Sequence, residues 1–464
     1  SCQSARGRSL HYEKFADGSV KCIEDEIPFE LPQGWEWTRL GVIFSHNTGK
    51  ALNSKSQVGN PYTYITTSNL YWNRFELTDL KQMLFTDAEL EKCTVKKGDL
   101  LVCEGGDIGR SAIWENDDEI RIQNHIHKMR PYIKLNIKFY YYVLYLYKHT
   151  ERINGKGIGI QGLSSNQLHS LLFPLPPINE QNIIANKING YFEYIDFLEK
   201  EKSNLSSAIQ ATKSKILDFA IRGKLVPQDP NDEPASVLLE RIRAEKEELI
   251  KQGKIKRDKR ESVIFKGEDN SYYLTTSDNK SYEEQFLFDL PLGWAWCSLN
   301  DIAKIDLGKT LDKAKNTGDY YQYLRSVNVR WGNSDLSDLN EMRFEENELE
   351  RYRVQKYDLL ICEGGDVGRS CVWTSNNTIY YQNALHRVRF YKECNPFFFM
   401  YYMMYYESKG IIKSLCKGVT IKHLTGNVLN TIPFALPPLP EQYRIVTAIE
   451  TIFTQLDEIS ESLS

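Results

Sequence analysis

The nine cysteines and eight histidines of this chain form no Cys-x-x-Cys pair and no Cys/His cluster at zinc spacing. That pattern excludes a zinc-stapled module, and the odd cysteine count argues against a disulfide framework. The thiols are read as reduced and mostly as core residues. Long apolar runs are missing too: the nearest, Phe397 to Tyr406, is mostly aromatic and too short to span a bilayer. With no basic-then-apolar segment at the start, the expected location is the cytoplasm, with no membrane partner. An excess of positive charge is also absent, since 58 Lys and Arg against 62 Asp and Glu leave a net charge of -4. The total argues mildly against nucleic acid, yet positive charge can be kept local.

Catalytic motifs are equally scarce. Gly157-Ile158-Gly159-Ile160-Gln161-Gly162 fits a dinucleotide-binding spacing. It follows an aromatic helix in place of a strand, and its later counterpart at Gly418 to His423 lacks the glycines. Gly308-Lys309-Thr310 ends like a phosphate loop, but Ala303 stands where the first glycine belongs. Asn395-Pro396-Phe397-Phe398 lacks the second proline of an amino-methyltransferase motif. No Ser/His/Asp set, nuclease carboxylate pair or metal-spaced histidines stand out, and His127 and His386 read as satisfied core residues. No catalytic and no metal-ligating residue is assigned.

What the chain does contain is one design written twice. Leu31-Pro32-Gln33-Gly34-Trp35-Glu36-Trp37 has a twin in Leu290-Pro291-Leu292-Gly293-Trp294-Ala295-Trp296, and the register persists through Gly98 to Arg110 against Tyr357 to Arg369. Gln123-Asn124 still faces Gln382-Asn383, while Pro176 faces Pro437 two residues out of step. In each copy a short apolar run, Leu100 to Cys103 or Leu359 to Cys362, reads as a buried strand entering a glycine turn. An aromatic helix follows, near Phe139 to Tyr147 and Phe397 to Tyr406. Each copy is therefore expected to be a mixed α/β or α+β unit.

Each unit leads into a helix with a coiled-coil seam. Ile188, Tyr191, Ile195, Leu198, Leu205, Ile209, Ile216 and Phe219 follow steps of three and four residues, interrupted at Lys202 and Thr212. Ile449, Ile452, Leu456, Ile459 and Leu463 keep the same steps at the C-terminus. The prefaces match as well: Leu175-Pro176-Pro177-Ile178-Asn179-Glu180-Gln181 and Leu436-Pro437-Pro438-Leu439-Pro440-Glu441-Gln442. A helix from Glu180 to Arg222 would be on the order of 60 Å long, nearly two turns of B-DNA. Glycine and prolines end it between Arg222 and Pro230, a second helix is expected over Val237 to Gln252, and an exposed linker runs on to Ser281. The basic run Lys254 to Arg260 is read as solvated.

The paired units, the two Leu-Pro-Pro-x-x-Glu-Gln prefaces and Leu217-Asp218-Phe219-Ala220-Ile221-Arg222-Gly223-Lys224-Leu225-Val226-Pro227-Gln228 together resemble the specificity subunit of type I restriction-modification systems. The resemblance covers nearly all of the chain from about Glu26, and His11-Tyr12-Glu13-Lys14-Phe15 resembles sequence that follows the spacer helix in that family. It implies an α+β (mixed α/β) protein with two similar globular target recognition domains separated by an antiparallel coiled coil of two long helices. The corresponding divisions are a lead-in at 1–30, recognition domain 1 at 31–178, a long spacer helix at 179–222, loop, short helix and linker at 223–289, recognition domain 2 at 290–439, and a short second spacer helix at 440–464. It also implies duplex DNA as partner, two methyltransferase subunits, and restriction subunits in the full complex. S-adenosylmethionine, ATP and Mg2+ would sit on those partners and no cofactor on this chain. A duplicated protein-interaction scaffold that no longer reads DNA is the alternative.

The internal repeat separates scaffold from candidate readers. Positions that differ between copies can discriminate two half-sites: Thr66 against Arg325, Tyr71 against Arg330, Gln161 against Lys422, and Gly162 against His423. Arg and Lys suit guanine or phosphate, and Gln suits adenine. They lie beside the shared Asn69 and Asn328, Trp72 and Trp331, Gly157 and Gly418, with Lys156 and Lys417 also in candidate loops. Lys50 and Lys309, identical and next to glycine, suit sequence-independent phosphate contact. Arg110 and Arg369 could reach phosphate or pair with Asp107 and Asp366. The glycines of that turn are scaffold first and a phosphate cradle second.

Overall fold

A computed structural model describes residues 11–52, 58–153, 162–257, 262–276, 280–312, 314, 316–391, 393–416 and 423–462. Packing divides the chain into two units, Ser1–Glu199 and Lys200–Ser464.

In the first unit a four-stranded antiparallel sheet has the order Ser111–Ile113, Leu100–Cys103, Ile126–Pro131, Phe44–Thr48. A second sheet has the order Lys81–Phe85, Asn60–Ile65, Ile120–Ile122, Thr94–Val95, with the middle two strands parallel. The apolar run Leu100 to Cys103 explains itself here. Its alternate side chains enter different cores, Leu100 and Val102 one, Leu101 and Cys103 the other. A strand covered on both faces must be apolar throughout. The second unit repeats both sheets in the same order, and Leu359 and Ile361 part from Leu360 and Cys362 in the same way. Among the described residues every cysteine is a free thiol.

Aromatic helices back the first sheet of each unit: α1 (Ile137–His149) in one, and Pro396–Ser408 in the other. Two short strands, Glu36–Arg39 and Leu172–Leu175, pair to bring the module's ends together before α2 (Ile178–Ile221), a helix of 44 residues. The repeated preface works as a lock. Trp35 Nε1 donates to Glu180 at 2.8 Å, and buried Gln181 accepts from the Asn136 backbone at 3.0 Å while donating to Pro176 O at 2.8 Å. The twins are Trp294 to Glu441 at 3.0 Å, Asn395 N to Gln442 at 2.9 Å, and Gln442 to Pro437 O at 3.0 Å. Each outgoing helix is thus fixed to the opening tryptophan and to the cap of the aromatic helix. Losing Gln442 would orphan the buried Asn395 N–H, at about 1–3 kcal/mol, and losing Gln181 would cost less because the Asn136 N–H is only part-buried.

After α2 the chain enters α3 (Ala235–Lys251), which buries Leu238, Leu239 and Ile242 in the second unit's core. The aromatic helix of that unit is α4 (Pro396–Ser408), and the chain finishes in α5 (Leu439–Glu461). Two expectations change here. Residues 1–30 are not a bare lead-in, because Tyr12–Lys14 and Val20–Cys22 form a hairpin whose Glu13 takes Arg39 at 2.5 Å. The stretch before Ser281 is not only linker: Ser262–Lys266, Tyr272–Thr276 and Ser281–Glu284 form a three-stranded sheet, and Phe286, just past its last strand, stacks on Trp296 at 4.3 Å.

The seam closes over part of its predicted length. In the second unit Ile209 and Leu217 of α2 and Ile449 of α5 are buried, Ile216 packs on that core, and Lys213 pairs with Asp457 and lies 5.0 Å from the Phe453 ring. Ile188, Ile452 and Leu456 are half-buried, whereas Tyr191, Ile195, Leu198, Leu205, Phe219 and Ile459 are exposed. Leu463 lies outside the described residues. α5 has 23 residues against the 44 of α2.

Candidate nucleic-acid interface

The loops that carry the candidate readers start at the glycine turn after each buried strand. Gly109 has φ +81 and Gly368 φ +84, and a Cβ there would meet Ile153 at 3.0 Å and Ile412 at 2.4 Å. The arginine that follows is an anchor. Arg110 Nη2 donates to Thr67 O at 2.7 Å, and Arg369 Nη2 donates to Ser326 O at 3.0 Å while pairing with Asp366. Asp107 lies 3.9 Å from Arg110 and 3.0 Å from Lys148. Of the two readings left open for these arginines, pairing with protein groups is the one found.

The loop they hold is braced from within. Asn69 Oδ1 accepts from Thr66 N at 2.9 Å and from its hydroxyl at 3.0 Å, and Asn69 Nδ2 donates to Glu76 O at 3.0 Å. Asn328, buried, does the same with Arg325 N at 2.9 Å and Asp335 O at 3.0 Å. Thr66, Asn69 and Asn328 are therefore struts of a loop, not free readers. Arg325 is also engaged, donating to Asp338 O at 2.9 Å and Oδ2 at 2.8 Å.

Lys50 and Lys309 correct the phosphate expectation. Lys50 Nζ donates to Leu84 O at 2.7 Å and Glu89 at 2.6 Å, and its side chain is 11% exposed. Lys309 is buried between Glu345 and Glu348. Committed to carboxylates in this way, neither ammonium is presented to a phosphate. Gln123-Asn124 and Gln382-Asn383 complete the same crossing, with Asn124 N to Lys50 O at 2.8 Å and Asn383 N to Lys309 O at 3.0 Å.

Three candidates remain at the surface: half-buried Tyr71, Arg330 with its side chain 54% exposed, and exposed His423. His423 lies close to Gly364, where a Cβ would stand 3.4 Å from its ring. Gly162 is beside Glu104 O. Lys156, Gln161, Lys417 and Lys422, with Gly157 and Gly418, lie outside the described residues.

The residues just past those segments are held alike in both copies. Leu163 N donates to Glu104 O at 2.7 Å and Leu424 N to Glu363 O at 2.9 Å. His127 Nε2 lies 2.7 Å from Leu163 O, and His386 Nε2 lies 2.9 Å from Leu424 O. A carbonyl only accepts, so His127 carries its proton on Nε2 and its Nδ1 accepts from His46 Nε2 at 2.7 Å. The His169 ring stands 4.7 Å from that of His46. Burial first, and then the two imidazoles, hold the His46 pKa down from 6.5 to about 4.

Unfolded, His46 takes a proton near its ordinary pKa of 6.5, whereas in the fold it resists until about pH 4. Its contribution is therefore complete above that upper value and is lost as pH falls through the window. Ile305 occupies the place of His46 in the second copy. The first unit is expected to lose on the order of 2 kcal/mol across this window, allowing for partial exposure. His46→Ile should remove most of that loss. Denaturant unfolding at a series of pH values checks it, and an unaltered acid profile in the variant would count against the assignment.

Comparison with known proteins adds to this geometry. The family model described as "Type I restriction modification DNA specificity domain" matches residues 32–207 and again 291–463. The specificity subunit of the type I restriction enzyme EcoEI of Escherichia coli is 26% identical, over 96% of this chain and 82% of its own length. That of EcoAI, also from Escherichia coli, is 25% identical over 94% and 80%. Among solved structures, a chain from work on complex assembly and conformational transition of the type I R-M system aligns with a TM-score of 0.63 at 16% identity, over 94% of each chain. The HsdS subunit from Thermoanaerobacter tengcongensis gives 0.53 at 16% identity, over 95% of this chain and 94% of its own. These two show likeness of fold.

Proposed function

The chain belongs to the type I restriction-modification DNA specificity family, and from that premise we propose that each of its two modules reads one half of a split duplex DNA site. As a specificity subunit it is the recognition part of such a system and not its catalyst. Methyltransferase subunits, two per complex, and restriction subunits are its partners in this reading. They bring S-adenosylmethionine, ATP and Mg2+ in the cytoplasm, and α2 with α5 serves as the spacer. Among the described residues no helix is long and apolar enough to cross a membrane.

The observation that carries the proposal is the double module itself. Two copies share sheets, locks and loop braces, and differ at exposed loop positions. A protein that reads two different half-sites with one architecture needs that division of labour.

The test is to map methylated positions in DNA from cells that express this chain with a matching methyltransferase subunit. A bipartite motif with a fixed gap is expected. A single uninterrupted motif, or a methylation pattern indifferent to this chain, would overturn the reading; indifference is what a scaffold without DNA recognition predicts.

A further inference from the structure

Each module carries a small hairpin on the braced loop. In the first, Leu70–Tyr71 pairs with Arg74–Phe75, placing Tyr71 opposite Arg74; in the second, Val329–Arg330 pairs with Asn333–Ser334, placing Arg330 opposite Asn333. The two-residue turns, Trp72-Asn73 and Trp331-Gly332, contain one residue with positive φ, Asn73 at 54 and Gly332 at 76. Such tight hairpins hold a register firmly.

The mount beneath the two hairpins is the same. Asn73 N donates to Ser111 O at 3.2 Å, and Gly332 N donates to Ser370 O at 3.1 Å. Trp72 lies 5.0 Å from the Tyr145 ring and 6.1 Å from that of Tyr141 on α1, while Trp331 packs on the core that includes α4. Arg110 and Arg369 hold the preceding loop, and Asn69 and Asn328 brace it. What differs is the cross-strand pair on top.

In the first module that pair is also stiffened. The Tyr71 ring has the Arg74 guanidinium at 4.5 Å and the Arg110 guanidinium at 5.2 Å. Arg74 is exposed, and stacking on a held aromatic ring limits its rotamers before any ligand arrives. In the second module Arg330 and Asn333 are both exposed, and Arg330 lies 3.6 Å from Asp335, a loose surface pair that a base edge could displace. Guanidinium and carboxamide are the two side-chain groups that match purine edges in the major groove with paired hydrogen bonds.

We infer that these hairpin pairs are interchangeable reading heads: Arg74, positioned by Tyr71, reads a base of the first half-site, and Arg330 with Asn333 reads the second. Guanine is the base that suits Arg74 and Arg330, and adenine suits Asn333. The inference rests on the DNA-reading function proposed above and assigns it to named side chains, of which Arg74 and Asn333 occupy equivalent positions of the two copies and differ.

The experiment uses the chain together with its methyltransferase subunit and a DNA library randomised in both half-sites, scored for methylation by sequencing. Arg74→Ala should lower discrimination at one position of the first half-site on the order of tenfold to a hundredfold. The second half-site should keep its profile, which also reports that the variant is folded. Exchanging the pair, Tyr71→Arg with Arg74→Asn, should change the preferred base at that position. If wild type selects no sequence, DNA reading itself is wrong. If wild type is selective and Arg74→Ala leaves its profile unchanged, or weakens all sequences alike as a phosphate contact would, the reading-head assignment is overturned.

Discussion

Gly49→Ala and Gly308→Ala are each expected to cost more than about 3 kcal/mol and to loosen the module that carries the change. A Cβ at Gly49 would stand 2.2 Å from Gln123 O and 2.3 Å from its carbonyl carbon; at Gly308 it would stand 2.3 Å from the carbonyl carbon of Gln382. These obstacles are backbone, and the backbone is pinned. Lys50 N donates to Ile122 O at 3.0 Å and Lys309 N to Tyr381 O at 3.2 Å, while Gly49 and Gly308 donate to Ile126 O and Leu385 O at 3.2 and 2.9 Å. Neither segment can step aside without breaking bonds on both sides. Gly105→Ala is the control, since nothing lies within 4 Å of a Cβ there and its φ is not left-handed. It should change stability by less than about 0.5 kcal/mol. Hydrogen exchange on strand peptides from each module reads the result. Slow exchange retained around Leu359–Cys362 in Gly308→Ala would mean that the crossing is not structural.

The same crossing shows where sequence reading reached and where it stopped. A glycine beside a lysine, identical in both copies, suggests a backbone approached by phosphate, and chemistry alone permits that. The carboxylates shared by both copies, Glu89 and Glu348, lie 39 residues downstream of Lys50 and Lys309, and Lys309 has Glu345 in addition. They occupy equivalent places in the repeat. Identities that recur as pairs carried the signal, but a residue-by-residue comparison does not see pairs. Trp35 with Glu180 and Trp294 with Glu441 are a second instance.

Fold was more legible than site because fold leaves periodic traces. The buried strands, the aromatic helices and the duplicated design follow from apolar patterning and self-similarity. The seam was overread for the same reason. Steps of three and four residues mark a helix face that can be covered, and Tyr191, Ile195 and Leu198 fit the pattern while standing exposed. The short hairpin at Tyr12–Lys14 and Val20–Cys22 was missed because three-residue strands carry too little alternation to register.

Asp99→Ala and Asp358→Ala are the second pair of large effects, and they test a paired identity directly. Asp99, 1% exposed, accepts from Arg130 at 2.7 and 2.6 Å and from Lys96 N at 2.7 Å. Asp358, 2% exposed, accepts from Arg389 at 2.8 and 2.7 Å and from Gln355 N at 2.7 Å. Each carboxylate stands at the entrance of the buried strand and ties it to the neighbouring strand while closing the turn before it. Alanine leaves the turn N–H without an acceptor and the arginine without its counter-charge, at about 3 kcal/mol. The two sites should differ in a definite order. Arg130 has its side chain 42% exposed and water can replace the lost carboxylate, whereas Arg389 is 28% exposed. Asp358→Ala is therefore expected to cost more than Asp99→Ala, and asparagine, which keeps one acceptor for the turn, less than alanine at both. Denaturant unfolding of the four variants measures this ordering. If asparagine and alanine cost the same, the arginine pair carries the stability and the turn bond adds nothing.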